Sequence, residues 1–347
     1  MKHYLLPLFY MVLGTTPILA QTDASLLQPK VQEFKSDKQG KTIVVPQSYQ
    51  LILSEGSCPH AVEALQQFLP NKQRKTEFKI ILGKKGDEAI KKYAKKIPGF
   101  LFRYLERTIH QDEINYILKT YKDSTGVKFA DDLLSYMNVH INVIGKENIP
   151  PEGRFIFASN HPLGALDGVA LIRFFGHFYS GKIKFLVNDL LMHIKPLAPV
   201  FLPINKYGSQ AKESSLQINN AYESDEQMLI FPAGLCSRLQ HGKIKDLEWK
   251  KTFIAKAVQS QRDIIPIYFE GRNSTFFYRF AQIRKCIGLK FNIELIYLPD
   301  EMFNSKNKTF DIYIGKPIPW QTFDKSKSLQ EWAQIVKEKV YQIKKNQ

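Results

Sequence analysis

The rhythm of apolar and polar positions changes several times along this chain, and each change marks an element. Val139-His-Ile-Asn-Val-Ile144 alternates strictly, which predicts a strand with one buried face. Short, nearly continuous apolar runs follow: Phe155 to Ala158, Ile183 to Val187, Pro199 to Ile204, Met228 to Phe231 and Ile264 to Phe269. Runs of this length, the first of them closed by Asn, Pro and Gly, suit strands covered on both faces. Helical segments separate them, and that alternation implies β-α-β units, an α/β class and a mostly parallel sheet flanked by helices. Asn292 to Tyr297 and Phe310 to Ile314 predict two late strands, and Ser328-Leu-Gln-Glu331 is a capping box that opens a closing helix.

Before the sheet, Leu101, Leu105, Ile109, Ile114, Ile117, Leu118 and Tyr121 recur at helical spacing among Arg103, Arg107 and Lys119. This predicts one amphipathic helix with a basic side, packed on the core or lying on a membrane surface. A shorter helix is expected over Phe129 to Met137. Further upstream, Thr42 to Pro46, Tyr49 to Leu53 and Phe78 to Leu82 look like strands, with helices over Ala61 to Leu69 and Asp87 to Lys96. Residues 21–41 are polar and aperiodic and are expected to be a linker. The first twenty residues have a basic start, an apolar middle and a small-residue end at Ala20, the pattern of a secretory signal; an uncleaved anchor is the competing reading.

Composition adds a partner class. A formal charge of +16 across 347 residues points to an anionic partner such as membrane headgroups, a phosphorylated substrate or nucleic acid, or else to a solvated basic surface. No nucleic-acid reader motif accompanies it. Cys58, Cys236 and Cys286 lack the spacing of a zinc site or a disulfide framework and are expected to be small buried residues.

Candidate chemistry sits where the apolar run from Phe155 ends. Asn160-His161 and Asp167 lie at a strand end, where ligands collect in open α/β sheets. Three more stretches follow in order: Pro203-Ile-Asn-Lys206, Phe231-Pro-Ala-Gly-Leu-Cys-Ser-Arg238 and Ile264-Ile-Pro-Ile267. Each is common alone. Together they make the region from about residue 100 onward resemble the phospholipid/glycerol acyltransferase family of lysophosphatidate-acyltransferase type, and within it the bacteroidete lyso-lipid acyltransferases that carry Asn-His-Pro-Leu-Gly. The resemblance implies transfer of a fatty acyl group from an acyl carrier protein or coenzyme A thioester to a lysolipid hydroxyl at an anionic membrane surface. It implies no metal and no bound cofactor. His161 would be the general base and Asp167 the carboxylate that orients it. Asn160, Asn205, Lys206, Pro232, Gly234 and Arg238 would bind substrate, with Lys206 holding an acceptor anion as a point charge.

The chain departs from that pattern in three places. Five residues, Pro162 to Leu166, separate His161 from Asp167 where the family has four, and Gly164 can let the loop absorb the extra one. Ala233 replaces the family's Glu, and Cys236 its following Arg. Both changes move the expected acceptor away from a glycerol phosphate, for example toward an N-acyl amino-acid lipid.

Residues 1–98 resemble instead the signal and small α/β N-terminal domain of bacterial β-N-acetylhexosaminidases, on Val44-Val-Pro-Gln47 and the run Ile80 to Ala94. The expected organisation is a signal or anchor over 1–20, a linker over 21–41, a small α/β domain over 42–98 and an acyltransferase domain over 99–347. The alternative is a secreted carbohydrate-associated protein with an inert second domain, although the Asp-Glu barrel of that family is missing. A working signal would carry the enzyme away from its thioester donors, so inner-membrane association is expected with the face left open.

Overall fold

The computed structural model describes residues 48–52, 77–81, 99–188, 191–192, 194–204, 209–288 and 292–345. The chain divides into two units. In one, β1 (Ser48–Ile52) and β2 (Glu77–Ile81) pair in parallel, Ser48 opposite Glu77 and Ile52 opposite Ile81. The other strands and helices expected before residue 97 lie outside the described residues.

The other unit holds a seven-stranded sheet among the described residues. Its strands are β3 (His140–Ile144), β4 (Phe155–Ser159), β5 (Ile183–Asn188), β6 (Phe201–Ile204), β7 (Gln227–Ile230), β10 (Asp263–Phe269) and β11 (Thr309–Ile314). They lie in the order β3-β11-β10-β4-β7-β5-β6. Every pairing is parallel except β10 with β11, so β3 and β11 run against the other five. A small antiparallel hairpin, β8 (Arg238–Gln240) with β9 (Lys243–Lys245), stands apart.

Alternation along the central strands sorts the core into two faces. Phe155 and Phe157 of β4 pack with Phe185, Ile265 and Ile267 beneath α3 (Gly126–Tyr136) and α4 (Leu166–Phe178). Ile156 and Ala158 point the other way, with Met228, Ile230 and Ile264. That face is covered by α5 (Ser209–Glu223), α6 (Thr252–Ser260) and α9 (Leu329–Gln342), the last contributing Ala333, Val336 and Val340. A central strand with both faces inside a core has no room for polar residues, which is why these runs read as continuous in the sequence. The capping box of α9 forms in both directions, with Ser328 accepting from the Glu331 amide and Glu331 accepting from the Ser328 amide.

The structure corrects four expectations. The helix expected over 101–121 is two helices, α1 (Gly99–Thr108) and α2 (Gln111–Thr120), broken at His110 with φ 50°. There the His110 ring stacks on Phe303 at 4.6 Å and bonds Asp300 Oδ1 at 2.8 Å, contacts from 190 residues downstream that outweigh local periodicity. Residues 195–200, which include the first part of the strand expected over Pro199 to Ile204, form a 3-10 helix, and β6 starts at Phe201. Ile293–Tyr297 is a 3-10 helix, not a strand, and leads into α8 (Leu298–Phe303). A short apolar run cannot separate these states by period, and here the buried Glu294 is held between two arginines. Finally, Cys236 is buried but Cys286 is exposed, on α7 (Thr275–Cys286). Among the described residues no helix is long and apolar enough to cross a membrane.

Candidate active site

β4 and β7 are parallel neighbours, so the segments leaving both emerge at the same edge of the sheet. The segment after β4 carries Asn160, His161 and Asp167. Asn160 is buried, and its carboxamide is used up by β10: Nδ2 donates to the Phe269 carbonyl at 2.9 Å and Oδ1 accepts the Phe269 N–H at 2.7 Å. The side chain imitates one more peptide of the β4–β10 ladder. It closes the strand end against β10.

His161 follows, and its Nδ1 lies 2.9 Å from Asp167 Oδ2. Between them Gly164 takes φ +86°, with no space for a side chain: a Cβ there would sit 2.8 Å from Leu298 Cδ2. Asp167 is fully buried in the first turn of α4. Its carboxylate accepts the amides of Leu163 at 2.9 Å, Gly164 at 3.4 Å and Gly168 at 3.0 Å. A buried carboxylate at a helix N-terminus, satisfied by amides, needs no cation to hold it. It therefore directs one oxygen at the imidazole. The opposite ring nitrogen, Nε2, has no hydrogen-bond partner among the described residues, and the ring stacks on Phe231 at 3.8 Å and 18°.

The His161 backbone is held as firmly as its ring. Its N–H donates to Asp246 Oδ1 at 3.2 Å, and its carbonyl accepts the Ser237 N–H at 2.7 Å. Asp246 is fully buried and also accepts Ser237 Oγ at 2.6 Å and Trp249 Nε1 at 2.8 Å. Burial pushes its carboxyl up, opposed by the hydrogen bonds from Ser237, Trp249 and the His161 backbone. From α9, Tyr341 Oη accepts the Asp246 N–H at 2.8 Å, and Lys337 Nζ donates to the carbonyls of Asp246 and Leu247.

The turn after β7 lays Phe231 on the His161 ring and continues through Pro232, Ala233 and Gly234. Pro232 and Ala233 are buried; Gly234 is exposed at φ +69°, its N–H bonded to the Phe231 carbonyl at 2.9 Å. Lys250 Nζ lies 2.7 Å from where a Gly234 Cβ would be, so the missing side chain makes room for a cation. Arg238 is buried, with its guanidinium on Glu294 Oε1 at 3.0 Å, on the Cys236 carbonyl at 3.1 Å and over the Phe277 ring at 5.5 Å. Arg284 meets the other oxygen of Glu294 at 2.8 Å. Arg238 and Asn160, both expected to bind substrate, thus have protein partners for their polar groups. Asn205 and Lys206 lie outside the described residues. The sequence reading missed Asp246, Phe231 as the ring partner of His161, and Lys250. Asp246-Leu-Glu-Trp249 offered a weak signal, an acid three residues before an indole that needs an acceptor.

Among the described residues no group of three or more His, Cys, Asp or Glu side chains could hold a metal ion. A mostly parallel α/β sheet with a paired histidine and carboxylate at its strand ends describes a class of group-transfer enzymes, and sequence comparison names the family. The Acyltransferase family model matches residues 85–347, so the chain belongs to the acyltransferase family and is an enzyme of that kind. It is 53% identical over 256 residues to the lyso-glycine lipid O-acyltransferase of Bacteroides thetaiotaomicron, covering 74% of this chain and 94% of the relative. Identity to the Phocaeicola vulgatus lyso-glycine lipid O-acyltransferase is 50% over 256 residues, covering 74% and 91%. A solved structure, the 1-acyl-sn-glycerophosphate acyltransferase of Thermotoga maritima, aligns over 71% of this chain and 89% of its own with a TM-score of 0.41 and 17% identity.

Proposed function

We propose that residues 99–347 transfer a fatty acyl group from a thioester of acyl carrier protein or coenzyme A to the hydroxyl of a lysolipid, with His161 as general base. The observation that carries this reading is the dyad itself: Nδ1 committed to Asp167 at 2.9 Å and Nε2 without a hydrogen-bond partner among the described residues. The acceptor hydroxyl gives its proton to Nε2 as its oxygen attacks the thioester carbonyl, and the thiolate leaves. Asp167 keeps the proton on Nδ1 and stabilises the imidazolium that forms, with the substrate's hydroxyl in the place a serine holds in hydrolases.

The acceptor we propose is a lysolipid of the amino-acid class named in the two relatives. Where the resembling family has Glu and Arg, this turn has the buried Ala233 and Cys236, and Arg238 is tied to Glu294. A headgroup with one carboxylate asks for less charge than a phosphate. Lys206 and Lys250 are the cations we propose for it, each acting as a point charge.

Purified chain given a labelled acyl thioester and lyso-glycine lipid should transfer the label. His161→Ala should lower the rate by at least about a hundredfold, the scale of a general base, with its circular dichroism and Tm unchanged. Undiminished transfer by that variant rejects the assignment.

A further inference from the structure

α7 buries Phe277, Tyr278 and Ala281 against its own domain. An apolar stripe runs along its other side. Phe276 (52% exposed), Ile283 (58%) and Ile287 (65%), with half-buried Phe280, recur at i, i+4, i+7 and i+11 and so form one stripe along the outer face. The Phe276 and Phe280 rings stack at 5.7 Å along it. A continuous apolar stripe in place of the usual charged face marks an interaction surface.

Charge selects the occupant. Between Glu270 and Glu294 the sequence has no Asp or Glu and carries Arg272, Arg279, Arg284, Lys285 and Lys290. Arg284 is engaged by Glu294, while Arg272, Arg279 and Lys285 are exposed. Arg279 borders the stripe and Arg272 stands just before the helix; aromatic and aliphatic side chains edged by cations in this way suit a helix that lies in the headgroup region of an anionic bilayer. A second copy docked through this same face would set those cations against themselves.

The position of α7 gives the stripe a purpose. Asn273, just before the helix, is buried and donates from Nδ2 to the Leu163 carbonyl at 3.4 Å, inside the loop that joins His161 to Asp167. Gly271 packs on the same residue, since a Cβ there would meet the Leu163 side chain at 3.1 Å. We propose that the outer face of α7 docks on an anionic lipid surface and lays the dyad loop against it, so that a lipid acceptor reaches His161 without leaving the bilayer. The purpose rests on the lysolipid reading above; the docking does not.

Two measurements on the full chain separate them. In Phe276→Trp, vesicles of brominated phosphatidylglycerol and phosphatidylcholine should quench the new indole several-fold more than they quench wild-type tryptophan fluorescence, and vesicles of brominated phosphatidylcholine alone should quench it less. In Phe276→Glu/Ile283→Glu, the KM for acceptor embedded in anionic vesicles should rise roughly tenfold, with kcat/KM for a short-chain dispersed acceptor unchanged. Arg272→Glu/Arg279→Glu should weaken the quenching by about fivefold per cation. Quenching equal to wild type overturns the docking surface, as does concentration-dependent dimerisation that Phe276→Glu/Ile283→Glu abolishes. Quenching without acyl transfer to any lysolipid overturns the proposed function and leaves the docking surface standing.

Discussion

The segment after β4 and the turn after β7 leave neighbouring strands at one edge of the sheet, and both present residues of the chemically capable kind. They use them differently. After β4, His161 keeps one ring nitrogen without a hydrogen-bond partner among the described residues, while its other ring nitrogen, its backbone and the Asp167 carboxylate are paired. After β7, the guanidinium of Arg238 is spent on Glu294 and on the Cys236 carbonyl. A polar side chain near a strand end becomes a reagent only when the fold leaves part of it unspent. Asn160 makes the same point from inside the first segment, since both ends of its amide are taken by Phe269.

Three substitutions test that contrast. The largest effect on folding is expected for Arg238→Ala, which leaves Glu294 buried with half its compensation. Removing one partner of a buried ion pair costs about 3–5 kcal/mol, read as a lower midpoint in urea, with kcat of the folded enzyme unchanged. A raised KM for acceptor at unchanged stability would instead return Arg238 to the binding site. Asp246→Asn comes next. The amide can still accept from His161 and Ser237, but its NH2 then faces the Trp249 indole N–H, and an unsatisfied buried donor costs about 1–3 kcal/mol. Because the clash of the new NH2 with the Trp249 N–H displaces the side chain that holds the His161 backbone, kcat should fall with KM little changed; a loss of stability alone would reduce Asp246 to a core residue.

The smallest effect is expected for Ser328→Ala, which uncaps the helix carrying Lys337 and Tyr341. A fall of about 2–4 °C in Tm is expected, with no change in kcat. Glu331 links this cap to pH. Hydrogen bonds from the Ser328 backbone and hydroxyl hold its carboxyl below the usual value. Its contribution is therefore complete above the ordinary carboxylate range and is lost as pH falls through the lowered value. The Tm difference between wild type and Ser328→Ala should shrink below about pH 4; a difference constant with pH would show that the carboxylate is not part of the cap.

What the sequence disclosed follows the same division between local and distant causes. β4, β7 and β10 were legible because strands buried on both faces must be written in apolar residues, and the Ser328 cap because its four residues act only on one another. The break at His110 was not, because Asp300 and Phe303 impose it from the far end of the chain. Glu294 looked like a strand residue until its two arginines were in place. The dyad could be picked out by residue type and order. The support of its histidine by Asp246, Trp249 and Tyr341 could not, since it joins three segments that share no spacing.

The three amides that close on Asp167, and the two backbone bonds that fix His161, form when the chain folds and do not wait for substrate. In the transfer proposed here, charge develops beside dipoles already aligned to receive it. Such preorganisation spares the enzyme the rearrangement of solvent that a free imidazole and carboxylate would repeat at every turnover.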